Sequence, residues 1–271
     1  MSIFSNLSNL LRTFSALSTS RFANGNPALL LFDGGTDSAY ENYALLAPDE
    51  LSLEGKAFSD LSGMLDEGFR FFAETGRSHI WPLFPGVPGE TGEMLVARGA
   101  RLEDVFHGMI LDLDSWKPLA TERERSESSQ VVVVCPAEAA AWADTTWFGF
   151  DSDEAPPDTF IRFVAGLSTR EGVFLAASEA STEPNAAPRF SATGMMFLSE
   201  ESAGLYYIAT RPDFRRRGLA ALVAQHLLRI AQVAGCREAC LLATPQGRPL
   251  YEALGFQVVC PVPIHVFGED D

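Results

Sequence analysis

The chain has 271 residues, 46% of them apolar, and its 20 basic against 36 acidic side chains give a formal net charge of −16. That composition is globular, and the length suits one large domain or two that each bury a core. The acidic balance argues against nucleic acid and anionic membrane as partners and favours basic or amine-bearing ones. The deficit is even, with 10 basic and 19 acidic side chains in residues 1–129 and 10 and 17 in residues 130–271.

Met1 to Leu17 spaces Ile3, Phe4, Leu7, Leu10, Leu11, Phe14 and Leu17 at helical intervals, which predicts an amphipathic helix packed on a core. It has neither the continuous apolar run nor the basic leader of a signal peptide, and nothing in the chain approaches the roughly 18 apolar residues of a membrane span. Asn24 to Pro27 reads as a turn, Ala28 to Phe32 as a strand, and Asp33-Gly34-Gly35-Thr36 as the turn after it. Phe58 to Glu74 predicts a helix with Phe58, Leu61, Leu65, Phe69 and Phe72 on one face. A Pro- and Gly-rich connection, Trp81 to Gly89, precedes a short helix to Arg98, Gly99, and a strand from Val105 to Leu113. The polar segment Lys117 to Ser129 has no apolar periodicity and is expected to join two domains.

The second half opens on Val131 to Val134, a β-branched run that suits a strand buried on both faces. Helices are expected at Ala137 to Trp142 and Asp158 to Leu167, and antiparallel strands at Val173 to Ser178 and Ser191 to Phe197 around the loop Thr182 to Pro188. There follow a strand, Leu205 to Thr210, a long helix, Gly218 to Val233, a strand, Ala239 to Ala243, a helix, Pro249 to Leu254, and strands at Phe256 to Pro261 and Ile264 to Phe267. The alternation gives an α/β (α+β) class. Cys135, Cys236, Cys240 and Cys260 form no CxxC pair and read as buried reduced thiols of a cytoplasmic protein.

Chemistry concentrates where the Leu205 to Thr210 strand meets the long helix. Arg211, Arg215, Arg216 and Arg217 fall within seven positions, offset by Asp213, and Gly218 and Ala220 stand in the first helical turn. Unpaired N–H groups at a helix start, small residues and local positive charge make an anion site; the alternative is a solvated basic turn paired to nearby carboxylates. It is neither a Walker A loop nor a GxGxxG turn. His79, His107, His226 and His265 have no ligand spacing, and no metal is expected. No GxSxG is present.

Arg215-x-x-Gly218-x-Ala220 after a strand, followed by Leu250-Tyr251-Glu252-Ala253-Leu254-Gly255-Phe256, resembles the Gcn5-related N-acetyltransferase (GNAT) family over about Val131 to Phe267. The resemblance implies a twisted mixed sheet that splays between two central strands, with acetyl-CoA in the cleft. Ile208, Ala209 and Thr210 would pair their backbone with the pantetheine arm, and Arg215, Arg216, Arg217, Gly218, Leu219 and Ala220 would hold the pyrophosphate. Tyr251 matches the position of the general acid that protonates the departing thiolate, and a phenol is protonated at neutral pH without tuning; the alternative is a ring that packs beside Phe256. Where the family often has Asn, seven positions before this Tyr, the chain has Thr244, which can still donate one hydrogen bond. No general base is assignable: Glu200 and Glu201 precede the strand and Tyr206 and Tyr207 fall on its two faces.

Met94 to Ala100 repeats the helix, Gly, strand pattern of Leu250 to Phe256, with Leu95 in the place of Tyr251, and nothing upstream reproduces Arg-x-x-Gly-x-Ala. Residues 1–120 are therefore expected to be a degenerate acetyltransferase-like domain, 121–129 a linker and 130–271 the acetyltransferase domain; a chance similarity is the alternative. Each of the tandem domains is expected to be a twisted, mostly antiparallel sheet flanked by helices. The expected function is acyl transfer from acetyl-CoA to an amine of a small molecule or peptide by direct attack in a ternary complex, by a cytoplasmic monomer or homodimer. Trp142, Trp147, Phe148 and the loop Asp151 to Glu154 would wall the acceptor side, unless the aromatics are core. The rival reading is a non-catalytic acyl-CoA sensor, which Thr244 and the missing base favour and Tyr251 disfavours.

Overall fold

The structure is a computed structural model in which residues 2–17, 20–47, 60–119, 131–179, 190–199 and 202–268 are described. The first half runs α1 (Ser2–Phe14), β1 (Arg21–Asn26), β2 (Leu29–Asp33), β3 (Asn42–Leu46), α2 (Leu61–Ala73), β4 (His79–Pro82), α3 (Thr91–Val96) and β5 (Arg101–Asp112). The second runs β6 (Val131–Val133), α4 (Ala139–Gly149), α5 (Asp158–Leu167), β7 (Val173–Glu179), β8 (Phe190–Ser199), β9 (Ser202–Thr210), α6 (Leu219–Val233), β10 (Glu238–Ala243), α7 (Arg248–Ala253) and β11 (Gln257–Phe267). The 121–129 linker and the Thr182 to Pro188 loop lie outside the described residues.

Among the described residues the strands form one sheet in the order β1-β2-β3-β4-β11-β5-β10-β9-β8-β7-β6. The internal repeat is visible in its connectivity. Three antiparallel strands, β1, β2 and β3, lead through α2 to β4, which runs parallel to β3. In the same way β7, β8 and β9 lead through α6 to β10, parallel to β9. Each copy then adds a short helix and a last strand, and each last strand is inserted into the other copy. β11 lies between β4 and β5, and β5 between β11 and β10, paired antiparallel to both.

The two short helices end alike. The Gly99 N–H bonds the Val96 carbonyl and the Ala100 N–H the Leu95 carbonyl, while Gly255 bonds Glu252 and Phe256 bonds Tyr251. Both glycines have positive φ, +95° and +100°, which a side chain would oppose.

On one face of the sheet α1, α4 and α5 share a core that crosses both halves: Leu7, Leu11 and Phe14 pack with Phe32 and Leu45 of the first half and Trp142, Phe160 and Phe163 of the second. The apolar stripe read in the N-terminal helix thus faces protein, with Ile3, Leu7, Leu10, Leu11 and Phe14 all buried. On the other face α2 and α3 cover β2, β3 and β4 through Leu65, Phe72, Trp81 and Leu95, while α6 and α7 cover the second-half strands through Val223, Leu227 and Leu254.

Several expectations are corrected. Val131 to Val133 form an edge strand paired with β7 alone, and Val133 is 51% exposed; a β-branched run marks a strand but not its place in the sheet. Asn24 to Asn26 belong to β1, because Asn26 pairs with Leu29 and the hairpin turns one residue later. The two terminal strands are one, β11, with a bulge between Ile264 and His265. All four thiols are free, but Cys135 is exposed. No helix among the described residues is long and apolar enough to cross a membrane.

Candidate active site

The parallel register of β9 and β10 holds for three residues, Ser202 with Glu238, Ala203 with Ala239 and Gly204 with Cys240, and then stops. Beyond that point β9 continues on β8 as far as Thr210 opposite Ala192, and β10 continues on β5 as far as Ala243 opposite His107. From Leu205 and Leu241 onward the strands part, and the backbone groups between them have no ladder partner there.

A bulge shapes the β9 side of this cleft. Thr193 pairs with Ala209 and Met195 with Tyr206, so Tyr207 and Ile208 together oppose Gly194. Tyr207 takes φ +51°, a conformation that costs a non-glycine residue about 1 kcal/mol or more. The extra residue turns Tyr206 and Tyr207 onto the same face, against the α1, α4 and α5 core, and sends Ile208 to the α6 side. The strict alternation expected for the two tyrosines is thereby overturned. Rings of Trp142, Phe150 and Phe160 surround Tyr207 at 6.0 to 6.4 Å, and burial raises its phenol, with the Glu41 charge adding to the shift. Ala209 is buried, and the Thr210 hydroxyl is buried without a partner.

The start of α6 faces the end of this strand. Gly218 occupies the N-cap with φ +73°, no side chain caps the helix, and nothing stands within 4 Å of where a Cβ would be. The first intrahelical bond runs from the Leu222 N–H to the Gly218 carbonyl, which leaves the preceding N–H groups of the turn for a ligand. In the first half the equivalent helix, α2, is closed by Asp60, whose carboxylate accepts from the Gly63 N–H. A carboxylate there occupies one of the donors and repels an anion.

The arginines are mostly engaged elsewhere. Arg215 donates to the carbonyls of Thr210 and Gly149 and pairs with Asp151 at 2.7 Å. Arg211 pairs with Asp144 at 2.7 Å and stacks on Phe148, and Arg217 donates to the Asp213 carbonyl and lies over Phe214. Arg216 is exposed, with φ +62°. The carboxylates of α4 and its following turn thus take up much of the positive charge read in the sequence, and the socket that remains is chiefly backbone N–H. Leu219 is buried in the α6 core, so only its N–H can serve a ligand; Ala220 is partly exposed.

Across the cleft, the Thr244 hydroxyl accepts from the Gly247 N–H at 3.0 Å and shapes the turn into α7. Tyr251 is half-buried, packs edge-on against Phe256 at 5.9 Å, and has its phenol raised by burial well above the ordinary range. The expected acceptor wall is largely structural: Trp142 is fully buried with its indole N–H on the Ala176 carbonyl, and Asp151 pairs with Arg215. Glu200 and Glu201 lie outside the described residues. No group of three or more candidate ligands for a metal ion occurs among the described residues.

Residues 136–256 match the family described as Acetyltransferase (GNAT) family. No curated protein matches the chain in sequence. Solved structures share its fold across both halves. A GCN5-related N-acetyltransferase from Kribbella flavida is 14% identical with a TM-score of 0.64, covering 98% of this chain and 95% of its own. One from Sphaerobacter thermophilus is 15% identical with a TM-score of 0.61, over 96% and 84%. A tandem GNAT protein from the clavulanic acid biosynthesis pathway is 13% identical with a TM-score of 0.57, over 100% and 96%. The splayed strands, the bulge and the uncapped helix start all fall within the matched segment, and the chain is a tandem GNAT-fold protein whose second half carries a domain of the GNAT acetyltransferase family.

Proposed function

We propose that the protein transfers an acetyl group from acetyl-CoA to an amine by direct attack in a ternary complex, in the second half of the chain. The observation that carries this reading is the parting of β9 and β10 beside an uncapped, glycine-started helix, a cleft with free backbone donors at both ends of the path a CoA thioester would follow. Acetyl-CoA supplies the acyl group as a thioester. The N–H groups from Gly218 to Ala220, with the Arg216 side chain, bind the pyrophosphate, and Arg215 and Arg217 fix the loop that presents them. The backbone of Ile208, Ala209 and Thr210 orients the pantetheine arm and offers an N–H to the carbonyl oxygen as it gains charge. Tyr251 holds the proton that its hydroxyl donates to the sulfur as the C–S bond breaks. The proton that the amine nitrogen loses on forming the C–N bond passes to water, from which the phenolate is reprotonated; a phenol raised by burial is protonated throughout the physiological range before the step. Thr244 contributes by shaping the turn that carries Tyr251.

The net acidic charge suits a cationic amine acceptor rather than nucleic acid or membrane, the free thiols suit the cytoplasm, and the protein acts as a monomer or homodimer. Residues 1–120, 121–129 and 130–271 serve as cofactor-free domain, linker and catalytic domain. Calorimetry with acetyl-CoA and a thiol-release assay over a panel of primary amines test the reading. Saturable binding with amine-dependent thiol release is expected. Binding without release from any amine makes the protein an acyl-CoA sensor, and no binding at millimolar acetyl-CoA overturns both.

A further inference from the structure

Glu41 closes a short 3-10 turn, Ala39–Glu41, in the first half, yet its carboxylate reaches the second. The Tyr207 hydroxyl donates to Glu41 Oε1 at 3.2 Å. Glu41 is 4% exposed, and the turn that carries it is held by buried side-chain hydrogen bonds. The side chain of the fully buried Asn42 donates to the carbonyls of Thr36, Ser38 and Ser78 and accepts from the Gly34 N–H. Asp33, which carries the turn before it, accepts from the Gly35 N–H and pairs with Arg77. The cavity beside the contact is about 10 Å³ and is bounded by Leu7, Phe14, Glu41, Tyr43, Tyr206 and Tyr207. That is room for about one water and too little for an acceptor, so Glu41 acts through Tyr207 and not on substrate.

Resting on the acetyl-CoA site proposed above, we propose that Glu41 is a positioning residue for that site. Its carboxylate anchors the ring of Tyr207, and so holds the left-handed bulge that directs the β9 backbone into the cleft. Tyr207 has no glycine's freedom at φ +51°; it keeps this conformation because its ring is caged by Trp142, Phe150 and Phe160 and its hydroxyl is tied to a fixed acceptor. The first half, whose own helix start is closed by Asp60, thereby supplies a part of the second half's cofactor site.

The test is calorimetric titration of acetyl-CoA into full-length wild type, Glu41→Ala, Glu41→Gln, Tyr207→Phe and the Glu41→Ala/Tyr207→Phe pair, with hydrogen exchange followed across residues 202–210. Glu41→Ala and Tyr207→Phe each weaken acetyl-CoA about tenfold, the pair weakens it no more than either alone, and Glu41→Gln, which keeps an acceptor oxygen, restores affinity to near wild type. Exchange accelerates at the bulge and not in α6. Tyr207→Phe keeps the ring packing, so it decides the matter where Glu41→Ala does not fold. Wild-type affinity in Tyr207→Phe, or losses that simply multiply in the pair, overturns the role of Glu41 while leaving the acetyl-CoA site standing; wild type that does not bind acetyl-CoA overturns the site itself.

Discussion

Leu95 and Tyr251 occupy the same place in the two copies of the fold: each offers its carbonyl to the residue that follows a left-handed glycine, Ala100 and Phe256 respectively. Leu95 is fully buried among apolar side chains, whereas Tyr251 is half-buried with a phenolic proton to give. Replacing Tyr251 with Phe keeps the edge-on contact with Phe256 and removes only that proton. The amine-dependent rate of thiol release is expected to fall by roughly a hundredfold, with acetyl-CoA affinity within twofold of wild type by calorimetry; an unchanged rate refutes the acid role.

Gly218 has open space around it but a φ of +73°. An alanine there meets no neighbour and is opposed only by its own backbone, at about 1 kcal/mol. Gly218→Ala is expected to lower stability by that amount in urea titration and to weaken acetyl-CoA as the first turn of α6 relaxes. Unchanged affinity argues that the N–H groups of this turn do not meet the ligand.

Gly204 is required for the opposite reason. A Cβ there would lie 2.0 Å from the Asn6 side-chain oxygen and 2.6 Å from the Tyr206 ring, which lies across it with its hydroxyl on that same Asn6 oxygen. Gly204→Ala should destabilise the fold by about 1–3 kcal/mol, measured by chemical denaturation, and loosen α1 from β9.

His79 is fully buried, stacked on Phe72 at 4.0 Å, and its imidazole is lowered by burial from 6.5 to about 4. The unfolded chain therefore takes up a proton below pH 6.5 that the folded chain refuses until about pH 4. The sign follows: this stability is complete above pH 6.5, declines as the pH falls towards 4, and is level below it, at a slope of up to about 1.4 kcal/mol per pH unit. His79→Phe, compared with wild type in denaturant titrations at pH 7.5 and about 5, should remove this component. Parallel pH profiles in the two proteins contradict the assignment.

The exchange of β5 and β11 predicts that neither half folds alone. Residues 1–119 and 131–271 produced separately should lack cooperative unfolding in circular dichroism, and produced together should assemble into a stable pair. A cooperatively folding second half on its own contradicts this.

Much of the fold was legible because periodicity reports burial. α1, α5 and α6 show one apolar stripe each, and the expected and observed spans of α5 coincide. The strands β1, β3 and β4 were not legible: Arg21 to Asn26 is polar and Gly-bearing, Asn42 to Leu46 begins on a buried Asn, and His79 to Pro82 contains a proline. The start of α6 could be read because glycine and arginine are chemically conspicuous. What the arginines do could not, since Asp144 and Asp151, which pair with Arg211 and Arg215, lie over 60 residues away in sequence. Glu41 was missed for the same reason: its partner Tyr207 is 166 residues distant, and among Asp37, Ser38 and Asn42 one more polar side chain is inconspicuous in the local sequence.

The insertion of β5 also orders events during synthesis. Arg101–Asp112 needs Glu238–Ala243 on one side and Gln257–Phe267 on the other. Both neighbours are made well after β5, so both of its long edges wait open until residues 238–267 have emerged from the ribosome. Such a protein closes its sheet late, so a nascent chain stalled before residue 238 exposes a strand ready to pair with another copy, and assistance from a chaperone matters most in that interval.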